Sequence, residues 1–427
     1  MTAEPIDIQA AAESKKRLGR DGMGYVWEVD EHGVCLRVDY LSGRGDELHG
    51  EIAVTLRGKH LHLARFNLSS SASRSTLEKA LVAQTEGLEI PWKRLVEQFC
   101  VAVLRKEREG EPTRYAARSE RRRLVYLVDN LVIKGKTNML FAPGGSGKGY
   151  LCVGVCCAVA SHRAIADLSV MEAKPFYFDW EDDFETFEDR LNIVARGFDV
   201  DVPCIPYRRM RGLLSDRINE MARAISDEGS DFVIVDSFSA AGGTVSERTS
   251  WDTVAHRFFD AVDMIPGVTW LIIDHVTGEK LKDPSGKAFG SIQKMNRVRN
   301  AWEMRSEQEP GSPTAHLRLF DGKWNHTGRR KPFGICMEFA GDGVTFKGED
   351  PTTNGDLSLA DKMALELDRG PLSTGVLATA LKVGSNSIRA EISRNPDRFT
   401  RDRRGFVLLK REDESDVVGD PAEPLPW

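Results

Sequence analysis

The chain has 427 residues, of which 41% are hydrophobic and 29% charged, and its formal net charge is −6 at pH 7. This length allows two to four domains of ordinary globular composition. The negative balance excludes a global basic field, so any DNA binding must come from local patches. No apolar run approaches the roughly 18 residues of a membrane span. Because a signal-peptide core is also missing, we expect a cytoplasmic location.

In the N-terminal quarter, the sequence predicts a disordered segment over residues 1–21. A small α+β accessory domain is predicted to follow over residues 22–107. Apolar residues at helical spacing predict helices over residues 77–83 and 92–105. Before them, turn residues separate short runs of alternating polarity, which predict an antiparallel sheet. These runs are Tyr25–Val29, Val34–Val38, Ile52–Leu56 and Leu61–Phe66.

A charged linker is predicted over residues 108–124. Its basic stripe consists of Arg114, Arg118, Arg121, Arg122 and Arg123. Such a stripe is typical of a solvated segment between domains, and a contact to the DNA backbone or to another subunit is the alternative.

Short apolar strands alternate with helices over residues 125–347. This alternation predicts an α/β domain with a mainly parallel sheet that is covered on both faces. The predicted strands are residues 138–142, 175–178, 232–235, 269–273, 316–320 and 334–339.

A glycine-rich turn joins the first of these strands to an apolar helix. Glycines let main-chain N–H groups converge on phosphate oxygens, and the start of a helix adds partial positive charge. Lys148 can reach the terminal phosphates, so the segment predicts an ATP-binding phosphate loop. Its residues are Pro143, Gly144, Gly145, Ser146, Gly147, Lys148, Gly149 and Tyr150.

Two positions depart from the usual phosphate-loop pattern. Ala142 replaces its first glycine, and Gly149 replaces the Ser or Thr whose hydroxyl binds Mg²⁺. Main-chain amides and Lys148 do most of the phosphate binding, so ATP binding can survive both changes. Because Mg²⁺ keeps several waters in its shell, a water can replace the missing hydroxyl.

Three later strands end in polar side chains. Asp236 ends the strand over residues 232–235 and can hold Mg²⁺. After residues 175–178 comes a cluster of carboxylates, of which Glu181 is our choice for activating the attacking water, with Asp179 and Asp182 as rivals. Acids that begin the next helix are the alternative reading of this cluster. The residue His275 ends a further strand, where it can sense the γ-phosphate.

The order of these motifs resembles the RecA-like ATPase core, specifically the RepA-type hexameric helicases and their phage and plasmid relatives. The resemblance covers residues 125–339, about half of the chain. Besides the phosphate loop, it includes Glu181-Asp182, Arg190-Leu191, Asp236-Ser237, Asp274-His275, Gly290-Ser291, Arg299, Trp302 and Lys323-Trp324-Asn325.

The resemblance implies that Lys148 and Asp236 bind ATP with Mg²⁺ while Glu181 activates water. It further implies a homo-hexameric ring in which a neighbouring subunit inserts cations into each site, and Lys323 and Arg299 match best. Arg297 is the third candidate for this role. Ordinary surface charge is the alternative interpretation for all three cations.

In such a ring, residues 238–253 and 276–289 would line a channel and grip single-stranded DNA. An ordinary solvated loop is the alternative for residues 276–289. The implied function is that of an ATP-dependent DNA helicase or translocase of phage or plasmid replication. The alternatives are a RecA-like ATPase that loads or remodels proteins on DNA, and a nucleotide-switched DNA-binding regulator.

Residues 356–410 predict three helices and a hairpin in the order of a winged helix-turn-helix. A local basic patch in this region favours binding of duplex or fork DNA over protein docking. Its bases are Lys382, Arg389, Arg394, Arg398, Arg401, Arg403, Arg404, Lys410 and Arg411.

The acidic tail over residues 411–427 is predicted to be disordered. Its Pro-Leu-Pro-Trp ending resembles the tips of bacterial single-strand-binding proteins. Recruitment of replication proteins is therefore one hypothesis for the tail, beside that of an inert solubilising segment.

Overall fold

The computed structural model describes the following residues: 18–44, 46–110, 113, 115, 124–244, 249–275, 292–324, 330–350, 359–368, 370–396 and 398–409. Contacts within the chain group it into two units. The first unit consists of residues 1–123, 211–231 and 240–268, and the second unit of residues 124–210, 232–239 and 269–427.

The first unit contains an antiparallel sheet whose strands lie in chain order. Alternate side chains of this sheet, such as Trp27, Leu36 and Val54, are buried because they point to one face. Two helices share that core. The elements are β1 (Leu18–Asp21), β2 (Gly24–Val29), β3 (Val34–Arg44), β4 (Glu47–Leu56), β5 (Lys59–Asn67), α1 (Ser71–Gln84) and α2 (Trp92–Glu109).

The prediction of disorder over residues 1–21 is wrong at its end, where β1 forms. This strand lacks an apolar alternation of its own, so no local pattern identified it. It is held by pairing with β2, in which Leu18 lies opposite Trp27, and by an ion pair between Asp21 and Arg37 at 2.5 Å. The helix α1 also starts before residue 77, because the Ser70 hydroxyl accepts a hydrogen bond from Ser73 N at 3.3 Å and caps it.

The second unit is built around a large sheet. A small hairpin of β6 (Tyr126–Val128) and β7 (Val132–Ile133) precedes this sheet. The strands of the sheet, in spatial order, are β10 (Tyr207–Arg209), β9 (Pro175–Asp179), β11 (Phe232–Asp236), β12 (Thr269–His275), β8 (Thr137–Ala142), β13 (Asn300–Glu307), β14 (Thr314–Trp324), β15 (Phe333–Ala340) and β16 (Gly343–Glu349).

Pairing from β10 through to β13 is parallel, and pairing from β13 to β16 is antiparallel. Successive residues of β8, β9, β11 and β12 are almost all buried. Because successive side chains point to opposite faces, both faces of these strands are covered. The predicted α/β fold with a mainly parallel sheet is confirmed.

Helices lie between the strands of this region. Buried residues such as Leu151 of α3 and Leu191 of α4 share a core with Ile234 and Ile273 of the sheet. In chain order the helices are α3 (Lys148–Ser161), α4 (Phe184–Phe198), α5 (Leu214–Glu228), α6 (Phe238–Gly242), α7 (Trp251–Asp263) and α8 (Ile292–Arg297). Of these, α3, α4 and α8 belong to the second unit, α5 and α7 belong to the first unit, and α6 is divided between the two.

A buried amide network fixes the amino end of β8. Asn138 Oδ1 accepts hydrogen bonds from Ile133 N and from Asn300 Nδ2, both at 2.8 Å. Asn138 Nδ2 donates to Ile133 O and to Trp270 O at 3.0 Å. One side chain therefore joins β7, β8, β12 and β13 through hydrogen bonds to buried polar groups.

The six predicted strands of this domain are present, whereas the hairpin strands β6 and β7 and the sheet strands β10, β13 and β16 were not predicted. In β13, Glu303 and Arg305 interrupt the apolar pattern, and their mutual hydrogen bond at 2.8 Å makes these polar residues compatible with the strand. The short strand β10 has three residues and pairs with β9. Neither strand carries a local signal that separates it from a loop.

The expected channel loop over residues 238–253 is wrong in part. Residues Phe238–Gly242 form α6, and α7 begins at Trp251. The Ser250 hydroxyl caps α7 by accepting a hydrogen bond from Thr253 N at 3.2 Å. The other predicted channel loop, residues 276–289, lies outside the described residues, as do most of the basic linker and the acidic tail.

The C-terminal region contains the helices and hairpin that the sequence predicts. Met363, Leu377 and Ile388 form a core with the hairpin residues Phe399 and Val407. The elements are α9 (Leu359–Asp368), α10 (Thr374–Ala380), α11 (Ser385–Arg394), β17 (Phe399–Arg401) and β18 (Val407–Leu409). The assignment as a winged helix-turn-helix stays a prediction.

Within the described part of the chain, no helix has both the length and the apolar character needed to cross a membrane.

Replacement of Asn138 by leucine should destabilise this domain markedly. The variant removes the buried hydrogen bonds that Asn138 makes with Ile133, Trp270 and Asn300, and we expect the free energy of unfolding to fall by about 3 kcal/mol. Urea unfolding followed by circular dichroism measures the change. The control is Asn192→Leu, which removes an exposed hydrogen bond to Glu188 O. An equal effect of the two substitutions would contradict the network's role.

Candidate functional site

Four parallel strands deliver their last residues to one edge of the sheet. The register pairs Asp179 with Asp236 and His275 with Ala142. Because the carboxyl ends of parallel strands meet at the same edge, the phosphate loop and these polar residues come together. A cavity of about 350 Å³ opens there. Its lining includes Gly145, Ser146, Gly147, Lys148, Gly149, Tyr150, Glu181, Asp182, Arg190, Asp236 and His275.

The phosphate loop adopts a conformation that its glycines permit. Gly145 and Gly147 have φ angles of 71° and 85°, in the left-handed region that favours glycine. The Ser146 hydroxyl donates to Pro143 O at 2.7 Å and closes the turn. Helix α3 begins at Lys148, so its first main-chain N–H groups have no partner within the helix and can bind an anion.

Lys148 is buried at the base of the loop. Its Nζ donates to Ala142 O at 2.9 Å and to Pro143 O at 2.7 Å, so the side chain folds back across the turn. Burial lowers the pKa of Lys148, while nearby carboxylates, Asp236 first among them, oppose that effect. The ammonium group therefore lies between the loop and the acidic side chains of the site.

His275 connects the lysine to a carboxylate. Its Nδ1 lies 3.3 Å from Lys148 Nζ, and its Nε2 lies 2.9 Å from Glu181 Oε1. Because an ammonium group only donates and a carboxylate only accepts, a neutral imidazole with its proton on Nε2 satisfies both contacts. The hydrogen bond from His275 is the main cause of a lowered pKa of Glu181, which keeps that carboxylate ionised.

The two rivals of Glu181 have other partners. Asp179 Oδ1 accepts hydrogen bonds from the main-chain N–H groups of Glu181 at 2.7 Å and of Asp182 at 2.9 Å. The Asp182 carboxylate pairs with Arg190 at 2.8 Å. Of these three carboxylates, Glu181 is the one that contacts His275, and it also accepts a hydrogen bond from the Ser237 hydroxyl.

Asp236 receives a hydrogen bond from a buried tyrosine. Tyr177 Oη donates to Asp236 Oδ2 at 2.6 Å. Burial raises the pKa of Asp236 to about 6, although the hydrogen bond from Tyr177 opposes that rise. Sequence reasoning did not assign Tyr177 a role. Its signal was a hydroxyl within an otherwise apolar strand, since a buried phenol usually finds a hydrogen-bond partner.

The acidic side of the site fits a magnesium ion. Ligand atoms of Glu181, Asp236 and His275 lie within 4.8 Å of one another. Mg²⁺ takes oxygen ligands and is commonly held by one or two carboxylates together with phosphates and waters. The Asp236 carboxylate satisfies that requirement, whereas Gly149 offers no hydroxyl.

The cations predicted to serve a neighbouring site lie at the opposite edge of the sheet. Arg299 N donates to Thr137 O at 2.9 Å, and Lys323 lies opposite Ala301 across β13 and β14. Thr137 begins β8, whose other end leads into the phosphate loop. Thr137 and Ala142, the two ends of β8, are five residue steps and therefore roughly 16 Å apart. These cations are therefore remote from the phosphate loop of their own chain.

Lys323 and Arg299 differ in their availability. Lys323 Nζ donates to Met295 O and, at 2.9 Å, to Asn296 O. Burial lowers the pKa of Lys323, and the charge of Arg299 adds to the effect. The side chain of Arg299 is exposed, and Arg297 is half-buried at the end of α8. Asn325 and Gly290-Ser291 lie outside the described residues.

Comparison with known proteins gives a family match for the same region. Residues 106–280 match a family described as an AAA domain. This range includes the phosphate loop, Glu181, Asp236 and His275. Among solved structures, the chain is similar to a KaiC-like protein from the hyperthermophilic archaeon Pyrococcus horikoshii OT3. The two are 12% identical with a TM-score of 0.38 over 52% of this chain and 98% of that chain. Among curated proteins, none matches this sequence significantly.

Removal of the Tyr177 hydroxyl should shift the pH dependence of metal-assisted nucleotide binding. Because a metal binds the ionised carboxylate, ATP affinity with Mg²⁺ should fall as the pH drops through about 6. Tyr177→Phe removes a hydrogen bond that favours the carboxylate, so the pKa of Asp236 rises and the midpoint moves to higher pH. Calorimetric titration at a series of pH values measures the midpoint.

The matched control is Tyr207→Phe, since the Tyr207 hydroxyl donates to Asp182 O at 3.1 Å. The control should keep the midpoint of the unaltered protein. Identical midpoints for all three proteins would show that Tyr177 has no influence on Asp236.

Proposed function

We propose that this chain, whose central region is an ATPase domain with a RecA-like core, is an ATP-dependent DNA helicase or translocase that works as a ring. The main support is one hydrogen-bonded arrangement at the carboxyl edge of the sheet. His275 contacts Lys148 through one ring nitrogen and Glu181 through the other, and Asp236 lies beside them. This arrangement combines groups for phosphate binding, water activation and metal binding, which ATP hydrolysis requires.

Each side chain then has a defined task. The amides of the loop and Lys148 hold the phosphates of ATP, and Asp236 holds Mg²⁺. When bound, Mg²⁺ neutralises negative charge on the phosphate oxygens. Glu181 orients the attacking water and accepts its proton. His275 contacts both Lys148 and Glu181, so loss of the γ-phosphate can be transmitted through its hydrogen bonds to β12.

The distant cations favour a ring of identical subunits. Arg299 and Lys323 lie at the amino end of β8, roughly 16 Å from the phosphate loop of the same chain. In a cyclic assembly every subunit meets its neighbour through two different surfaces, so one edge of a subunit can face the other edge of the next. A cation supplied in this way stabilises the charge that develops on the transferred phosphoryl group.

The basic side chains of the C-terminal region support DNA as the substrate. Exposed basic side chains lie on and around α11 and at the tip of the hairpin between β17 and β18, and a local basic face suits phosphate backbones despite the negative charge of the whole chain. These basic residues are Lys382, Arg389, Arg394, Arg401, Arg403 and Arg404. A role in phage or plasmid replication, with recruitment of replication proteins by residues 411–427, belongs to the same proposal.

One observation keeps a second function open. Gly149 lacks the metal-binding hydroxyl, which suits slow turnover and a nucleotide-switched DNA-binding regulator. Stimulation of ATP hydrolysis by single-stranded DNA favours the helicase, or an ATPase that loads or remodels proteins on DNA. Strand displacement separates these two, whereas specific duplex binding with negligible hydrolysis favours the regulator.

Loss of the Glu181 carboxylate should separate ATP hydrolysis from ATP binding. Glu181→Gln keeps the shape of the side chain but cannot accept a proton, so the DNA-stimulated rate should fall at least about 100-fold. ATP affinity should remain within a few-fold of that of the unaltered protein. A phosphate-release assay with parallel calorimetry measures both quantities.

Two variants accompany this test. Glu185→Gln changes an exposed carboxylate of α4 and should leave both quantities unchanged. Lys148→Ala should abolish ATP binding itself. Hydrolysis at the unaltered rate by Glu181→Gln would refute the catalytic assignment.

Mixed assemblies test whether cations act between subunits. Lys148→Ala and Arg299→Ala should each be nearly inactive alone. In randomly mixed rings, about a quarter of the interfaces pair an intact Lys148 with an intact Arg299, so an equal mixture should recover about a quarter of the activity. Each variant mixed with itself is the control. Full activity of Arg299→Ala, or no recovery in assembled mixtures, would contradict this role.

A further inference from the structure

Gly149 and Arg190 share one small region beside the phosphate loop. A Cβ atom built at position 149 would lie 3.2 Å from Arg190 Nη1 and 3.7 Å from Arg190 Cζ. The first distance is shorter than an ordinary van der Waals contact, so a serine or threonine here would press against the guanidinium group. The absence of a side chain at position 149 therefore leaves room for the Arg190 guanidinium group.

The structure holds the Arg190 guanidinium at this place. Its Nη2 pairs with Asp182 Oδ2 at 2.8 Å, and its Cζ lies 5.7 Å from the centre of the Tyr150 ring. Helix α4 positions it, because the neighbouring residues Phe187 and Leu191 are buried in the core. Arg190 also lines the same cavity as the phosphate loop.

The two nitrogens of the guanidinium group face different partners. Nη2 makes the ion pair with Asp182, whereas Nη1 lies beside Gly149 at the start of α3. Arginine has five N–H donors in a planar fork, so a single ion pair leaves other donors available to phosphate oxygens.

On the basis of the proposed function, we propose that Arg190 is a phosphate-binding residue of the ATP site. It supplies from the same chain a contact that takes the place of the hydroxyl missing at position 149. ATP binding should therefore depend on Mg²⁺ less than the usual phosphate-loop pattern would require.

ATP affinity measured with Mg²⁺ and with a chelator tests this inference. The unaltered protein should lose less than about 10-fold in affinity when Mg²⁺ is removed. Arg190→Ala should lose about 10- to 100-fold without Mg²⁺, as expected for a charge-assisted hydrogen bond. Arg190→Lys keeps the charge without the fork and should show an intermediate loss. Thermal unfolding of each variant verifies that it is folded.

A double substitution tests the link between the two positions. Gly149→Ser alone should weaken ATP binding, because the new side chain presses on the guanidinium group. In Gly149→Ser/Arg190→Ala the hydroxyl has room, so Mg²⁺ should increase ATP affinity far more than it does in either single variant. Such non-additivity is expected only for residues in contact. Purely additive effects would contradict the proposal.

The matched control is Arg196→Ala on the same helix. Arg196 makes an exposed ion pair with Asp342 at 3.3 Å, so its removal should leave ATP affinity unchanged with or without Mg²⁺. If folded Arg190→Ala binds ATP with unaltered affinity and unaltered Mg²⁺ dependence, this inference is wrong and the proposed function stands. If the unaltered protein binds no ATP under either condition, both are wrong.

Discussion

The parallel pairing of β8, β9, β11 and β12 is the constraint on which the site depends. Both faces of these strands are covered, so a polar side chain can reach solvent only where a strand ends. The register aligns those ends, with Asp179 beside Asp236 and Ala142 beside His275. A shift of one residue in any strand would turn its side chains to the other face and separate the cluster.

The opposite end of the same sheet explains why the register is secure. The Asn138 network ties β8 to β12 and β13 at their amino ends, and buried amides tolerate little displacement before they lose their partners. Arg299 and Lys323 lie at that end. A single sheet therefore separates the residues that bind the nucleotide from the cations proposed to act on a neighbour's nucleotide. Under that proposal, hydrolysis would require assembly of several subunits.

Much of this architecture could be predicted from local patterns. Glycine spacing identified the phosphate loop, and short apolar runs identified the central strands, because burial on both faces leaves a continuous signal. The hydrogen-bond partners that distinguish Glu181 from Asp179 and Asp182 could not be predicted, since His275, which contacts Glu181, is separated from it by 94 positions in the chain. The strand β13 could not be predicted either, because its sequence lacks a continuous apolar pattern and its pairing with β8 and β14 holds it in the sheet. The closeness of Arg190 to Gly149 likewise exists only in three dimensions.

Hydrogen exchange of the whole protein, followed by mass spectrometry with and without a slowly hydrolysed ATP analogue, tests the central claim most directly. If a triphosphate binds the main-chain amides of the turn after β8, amides of residues 144–149 should exchange more slowly once the analogue saturates the protein. Residues at the amino end of β8 should change little in the isolated subunit. Saturable binding of the analogue without any protection of residues 144–149 would contradict the account.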